Sequence, residues 1–323
     1  MKQFIAFTIC VIFALSIVST ANALTISPPL MEIDANPGEV IEKVIKIIAE
    51  SDVEGIYYPS TANFTARGEE GEPGFLEPEE TQGYSLADWI EIDNTAIGLR
   101  KNERKKIPFT IRVPENAEPG GHYGVIFFST QPPDLTNKQT AIGVTGKLGS
   151  LILVKIAGEI KEEGRLVEFN TVNKEKFYNR LPVEFFTRFE NTGNVHLKPL
   201  GEIKITRMFG KEMSKFLVNE KGGNVLPNSI RKYKSAWEKN KGSVVQDKGF
   251  FAELKNEKNN FAFGRYKAEL KLVNYQGGAK IIWIIPWRIL LVSIIILIVV
   301  ILVLRLLVRE YNKKIIREHG KNN

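Results

Sequence analysis

The sequence predicts an all-β protein: two tandem Ig-like β-sandwich domains followed by a single C-terminal transmembrane α-helix. Two observations carry that reading. Between residues 24 and 285, apolar residues recur with a period of two and are interrupted by Pro, Gly, Asn and Asp at intervals of roughly ten, the mark of short antiparallel strands. Further on, residues 289–308 are an almost unbroken apolar run. That is about the ~20 residues that a helix rising ~1.5 Å per residue needs to cross a ~30 Å hydrocarbon core.

The chain opens with a leader. Lys2 supplies the positive start, "FIAFTICVIFALSIV" the apolar middle and the Ala-Asn-Ala at 21–23 a small-residue cleavage site, so residues 1–23 read as a secretory signal peptide. Cys10 is the only cysteine and lies within it. Bulky Ile9 precedes Cys10 and the apolar run continues past it, which excludes a lipidation site. An exported chain without a mature thiol gains nothing from disulfides, so its domains must hold together by their own cores.

The elements follow in order. "LTISPPLMEIDANPGE" is a first strand broken by Pro28 and Pro29, ending in a turn at Asn36-Pro37-Gly38. "EVIEKVIKIIAE" also fits a helical period, but its β-branched residues and strand-like neighbours favour a strand. After "GIYYPSTANFTA", the Gly-, Pro- and Glu-rich "RGEEGEPGFLEPEETQGYS" reads as a long exposed loop. "DWIEI", "KKIPFTIRVP", "HYGVIFFST" and "VTGKLGSLILVKIAG" complete a first Ig-like domain at 24–157. The second, 158–285, repeats the plan with "RLVEFNTV", "LPVEFFTRFENTG", "VHLKPLGEIKITRMFG", "SIRKYKSAWE" and "GRYKAELKLVNYQGGAKIIWII". "KNEKNN" and "NEKGGN" read there as polar hairpin or loop material.

The membrane helix is placed at 286–308 and a basic tail at 309–323. Trp283 and Trp287 stand where aromatic side chains favour the membrane interface, Pro286 stops the preceding strand, and Arg305 snorkels from the last turn. Arg309, Lys313, Lys314, Arg317 and Lys321 face only Glu310 and Glu318, which sets the tail in the cytoplasm and the body outside.

Charge is distributed unevenly. Residues 24–157 carry 12 Lys and Arg against 20 Asp and Glu, and residues 158–287 carry 24 against 15. An acidic module followed by a basic one beside the membrane suits a cell-envelope protein rather than a nucleic-acid binder. Chemistry has little to stand on. His-Glu-x-x-His, Gly-x-Ser-x-Gly and a phosphate-binding glycine loop are all missing from the sequence. Glu69, Glu70, Glu72, Glu77, Glu79 and Glu80 lack the ordered spacing of a calcium loop and read as a solvated acidic loop. The reading is therefore of a non-enzyme without catalytic residues, cofactor or metal. His122, one of three histidines, opens a strand after Pro119-Gly120-Gly121. A base needs an orienting carboxylate and a nucleophile nearby, so His122, Tyr123 and Trp89 are candidates for ligand contact rather than catalysis. Val125 and Phe127 should face one side of this strand and Ile126 and Phe128 the other, so that it is covered on both faces. Trp283, Trp287, Arg305 and Arg309 are the candidate anchor flanks.

Certain stretches are familiar. The turn Asn36-Pro37-Gly38-Glu39, "IPFTIRVPENAEPGGHYGVIFF" and "LGSLILVKIAGEI" resemble the first ectodomain of the WxL-interacting proteins of the bacterial cell surface, and "RFENTGNVHLKPLGEIKI" resembles the start of their second. The resemblance implies a first domain that binds peptidoglycan, a second that binds host or partner proteins, one membrane span and a short basic tail. "VLPNSIRKYKSAWEKNKG" departs from that pattern. The expectation is a membrane-anchored surface protein that binds peptidoglycan, partner surface proteins or both. The alternative is an assembly or sensor component acting through its helix and tail.

Overall fold

The computed structural model describes residues 24–50, 54–76, 85–132, 147–239 and 249–319. The leader at 1–23 and Glu77, Glu79 and Glu80 of the acidic loop lie outside the described residues. The chain forms two compact units. Unit 1 comprises Met1–Glu163, Asn191–Leu197 and Leu226–Ser229, and unit 2 comprises Gly164–Glu190, Lys198–Val225 and Ile230–Asn323.

Unit 1 is built from β1 (Leu24–Ser27), β2 (Leu30–Ala35), β3 (Val40–Ala49), β4 (Gly55–Arg67), β5 (Glu72–Phe75), β6 (Ile90–Ile92), β7 (Ile97–Leu99), β8 (Arg104–Arg112), β9 (Gly120–Ser129) and β10 (Lys147–Ile156). One sheet runs β1-β3-β8-β6 and the other β2-β10-β9-β4-β5, with β7 also paired to β4. Pro28 and Pro29 cannot donate to a ladder, and they separate β1 in the first sheet from β2 in the second. Gly38, at φ 78°, then turns the chain toward β3, and the Glu39 carboxylate accepts the Asn36 N–H at 2.8 Å. Ile41, Ile45 and Ile47 of β3 meet Ile126 and Phe128 of β9 and Ile152 and Val154 of β10 in one core, which makes the pair of sheets a sandwich.

One expectation changes here. Part of the stretch read as a long exposed loop is β5, paired antiparallel to β4 from Phe64↔Phe75 to Arg67↔Glu72. Gly68 at φ 61° and Gly71 at φ 85° reverse the chain tightly, and the Phe75 ring then meets Phe127 at 4.7 Å, edge to face. "DWIEI" is likewise divided, into a 3-10 turn at Ala87–Trp89 and β6.

Unit 2 contains β11 (Gly164–Thr171), β12 (Phe177–Tyr178), β13 (Val183–Asn191), β14 (Gly201–Arg207), β15 (Glu212–Val218), β16 (Ser229–Trp237), β17 (Gly264–Leu272) and β18 (Gly278–Ile284). Its helices are α1 (Phe250–Asn259) and α2 (Trp287–His319). The sheets run β11-β13-β16 and β12-β18-β17-β14-β15. Inward residues of alternating strands, among them Phe185, Phe189, Ile203, Ile205, Leu270 and Ile282, are fully or nearly fully buried. "KNEKNN" is not a hairpin. Residues 255–259 close α1, and Asn256 and Glu257 are buried despite their polarity. The last helix also runs past residue 308 into the stretch expected to be tail. Its segment Trp287–Lys313, 27 residues, is long and apolar enough to cross a membrane.

Candidate functional site

Among the described residues, two polar clusters bear on function. The first surrounds His122, Tyr123 and Trp89, which the structure does bring together, the first two buried and Trp89 half-buried. Asn63 on β4 holds the start of the 3-10 turn, its Oδ1 accepting the N–H groups of Leu86 and Ala87 at 2.8 Å each. That turn delivers Trp89 onto the His122 ring, with centroids 4.4 Å apart. His122 is 4% exposed, and its Nδ1 and Nε2 lie 3.0 Å and 2.9 Å from the carbonyl oxygens of Ser85 and Glu118. An imidazole with both nitrogens against carbonyls has none left for a substrate. It ties the 85–90 segment and the Glu118 turn to the mouth of β9.

Tyr123 is 2% exposed, edge-on to Phe64 at 5.9 Å, with its hydroxyl 3.5 Å from His196 Nδ1. The cavity beside it, lined by Asn63, Thr65, Leu76 and Leu226 among others, holds about 10 Å³. That is the room of one water molecule, far short of a sugar or peptide. The glycines of "PGGHYG" serve the same packing. A Cβ on Gly121 would stand 1.9 Å from the Tyr123 hydroxyl, and one on Gly120, at φ 131°, would stand 2.6 Å from the Asn194 carbonyl oxygen. Strand β9 is buried throughout, as its apolar pattern requires: Ile126 and Phe128 join the intersheet core, while Tyr123, Val125 and Phe127 pack with Phe64, Leu153 and Leu226.

Open surface lies elsewhere on unit 1. A groove of about 550 Å³ is lined by Thr61, Glu91, Ile92, Asp93, Asn94 and Thr110 among others. The N–H and hydroxyl of Thr95 hold the Asp93 carboxyl below the usual carboxylate range. Hydroxyl, amide and carboxylate groups of this kind suit a hydrated, hydroxyl- or amide-rich ligand. No group of three or more His, Cys, Asp or Glu able to hold a metal occurs among the described residues.

The second place is the junction between α1 and α2, which the sequence reading missed. Glu257, 0% exposed, accepts the N–H groups of Arg288 and Ile289 on one oxygen at 3.1 Å each and Arg288 Nη1 on the other at 2.9 Å. It thereby satisfies orphan donors at the positive end of the apolar helix. Glu253, one turn earlier, takes Arg180 Nη1 at 2.5 Å and lies 3.9 Å from Arg288 Nη1. The Arg288 guanidinium covers the Trp287 ring at 4.5 Å, and Phe250 meets that ring edge-on at 6.3 Å. Of the expected flanks, Trp283 lies on β18, Trp287 opens α2, and Arg305 and Arg309 are exposed along it. The signal available beforehand was Glu253 and Glu257 four residues apart, one helical turn, upstream of a lone Arg288 at the head of an apolar run.

No protein-family model matches the chain, and no curated protein matches it. Solved structures with a similar course of strands include a class 5 fimbriae chaperone, CfaA, at 13% identity and a TM-score of 0.36, covering 80% of this chain and 99% of that one. The E. coli chaperone DraB aligns at 11% identity and a TM-score of 0.33, covering 81% and 97%. The Pseudomonas aeruginosa CupB2 chaperone aligns at 9% identity and 0.33, covering 80% and 97%. Likeness at that level bears on no function of this chain.

Proposed function

We propose that this is a non-enzymatic, membrane-anchored cell-envelope protein whose extracellular β-sandwich units bind peptidoglycan, partner surface proteins or both. The observation that carries it is the junction. Unit 2 runs without a flexible linker into an exposed apolar helix, and a buried carboxylate holds the head of that helix to α1. Such a joint suits a module displayed at a fixed attitude on a membrane. The resemblance of residues 107–128 to the first ectodomain of the WxL-interacting proteins supports the choice of ligand class. The polar groove around Asp93 supplies a surface of suitable chemistry.

Binding of the detergent-solubilised full chain to purified cell-wall sacculi, with and without co-purified surface proteins, tests the reading. Retention in either arm is expected, and absence of retention in both sinks it. The buried clamp also favours the alternative, an assembly or sensor component acting through its helix and tail, because a rigid joint transmits displacement. Exchange of residues 289–323 for an unrelated anchor, with Arg288 kept, should be tolerated under the first reading and should abolish function under the second.

A further inference from the structure

The end of unit 2 from which α2 departs carries more than the two tryptophans legible in the sequence. Strand β18 ends at Ile284, opposite Gly264 at the start of β17, and Tyr266 of β17 stands opposite Arg207 at the end of β14. The β14–β15 turn, the α1–β17 connection, α1 and β12 therefore share the helix end of the unit. Every exposed phenylalanine of unit 2 among the described residues lies on these segments, and the exposed Trp283 and Trp287 lie at the end of β18 and the start of α2 beside them. The opposite end, where β14 begins and β15 and β17 finish, exposes Leu200, Leu217 and Val273 but neither a phenylalanine nor a tryptophan.

The most telling of them is Phe209. It is 96% exposed at φ 72° in the turn Arg207 to Lys211, followed by Gly210 at φ 80°. Successive positive φ angles are the place for Asn-Gly, and a bulky residue there is disfavoured by its own backbone as well as by water. Neither cost is recovered inside the fold. Phe251 is 81% exposed on the first turn of α1. Phe261 and Phe263 flank buried Ala262, and the backbone of Phe263 is held by the Tyr266 hydroxyl at 3.2 Å and by Arg207 Nη2 at 3.1 Å. The aromatics are thus presented on braced segments. Basic side chains stand among them: Arg265 is paired in register with Trp283, and Lys211 closes the Phe209 turn.

We propose that this end of unit 2 is seated in the membrane, with Phe209, Phe251, Phe261 and Phe263 in the headgroup layer around the emerging helix and Arg265 and Lys211 against lipid phosphates. The occupant follows from continuity, since a helix that enters a bilayer brings its own surroundings to the bilayer surface. Phenylalanine with interspersed Arg and Lys is also the composition that anionic headgroups and the acyl boundary accept. The inference rests on the reading of α2 as a membrane span, and the experiment separates the two.

A nitroxide is attached at Phe209→Cys, Phe251→Cys, Val299→Cys or Lys221→Cys in the full chain on a C10A background. Each variant is reconstituted at about one chain per vesicle of phosphatidylglycerol and phosphatidylethanolamine. Collision with oxygen is compared with collision with an aqueous nickel chelate. The expected result is a deep position for Val299, an aqueous one for Lys221, and an oxygen-to-nickel ratio at Phe209 and Phe251 several-fold above that of Lys221. If Val299 is deep while Phe209 and Phe251 match Lys221, the seating is overturned and the span stands. An aqueous Val299 overturns both. Protection of Phe209 that appears only at high protein-to-lipid ratio overturns the seating in favour of contact with a second copy.

Discussion

The His122 cluster of unit 1 and the Glu257 joint of unit 2 both bury polar side chains, yet they teach opposite lessons. Around His122 the partners are main-chain carbonyls within one unit's own turns, and the neighbours are Trp89, Tyr123 and a cavity fit for one water. The polar group there fastens a strand mouth. At the joint, the partners are a guanidinium and the first N–H groups of a helix whose apolar surface is exposed along its described span. The polar group there fixes the direction in which that helix leaves. The histidine beside a glycine pair is packed against two carbonyls and an indole, whereas a glutamate in a nondescript polar stretch holds the head of α2.

The comparison can be broken in several ways. The largest effect should come from Glu257→Ala, which removes the acceptor of two helix N–H groups and leaves Arg288 only the more distant Glu253. A loss of about 3–5 kcal/mol is expected for a broken buried pair, read by denaturant unfolding of the chain in detergent, together with faster hydrogen exchange at Arg288 and Ile289. Glu257→Gln keeps the acceptor and should lose less. Equal loss in both would deny the charge its part. Next is Leu226→Ala in the second core of unit 1, where Leu226 packs with Tyr123 and Val125. Removal of a buried leucine there should cost about 2–4 kcal/mol, and a negligible cost would show that the outer face of β9 is not truly covered.

His122→Ala removes the ring nitrogens that face the Ser85 and Glu118 carbonyls and should cost about 1–3 kcal/mol in the same unfolding measurement. Retention on sacculi should be unchanged at temperatures where the variant is folded. Selective loss of retention would return His122 to the list of ligand contacts. The smallest effect at neutral pH belongs to Tyr233→Phe, about 1 kcal/mol for the hydrogen bond from its hydroxyl to the Gly223 carbonyl at 2.9 Å. Burial pushes the Tyr233 phenol above its ordinary value of 10.0, opposed only in part by Arg231. The folded chain therefore keeps a proton that the unfolded chain releases. Stability that is complete below about pH 10 is lost as the pH rises beyond it. Alkaline unfolding of the parent should show that loss, and the phenylalanine variant should show less.

Much of the fold was legible in advance. The β-branched run of β3, the unbroken apolar run of β9, the Pro28-Pro29 break and the Asn36-Pro37-Gly38 turn are local, and each element that formed there obeyed a rule of composition or backbone freedom. Strand β5 was hidden because its glycines and glutamates match loop composition, and only pairing with Phe64 to Arg67 turned Glu72–Phe75 into a strand. Helix α1 was hidden for the converse reason: its polar residues have no value in an isolated segment and acquire it from Arg180 and Arg288.

By itself, the sequence determined the quantities that depend on near neighbours: a period of two, turn positions, a single long apolar helix and its basic flank. Tertiary structure alone decided which polar groups would be buried and against what, because desolvation and ion pairing depend on groups far apart in the chain. It closed the Tyr123 hydroxyl onto His196, set Glu257 under the head of α2, and gathered Phe209, Phe251, Phe261 and Phe263 from three separate segments to the end where that helix begins.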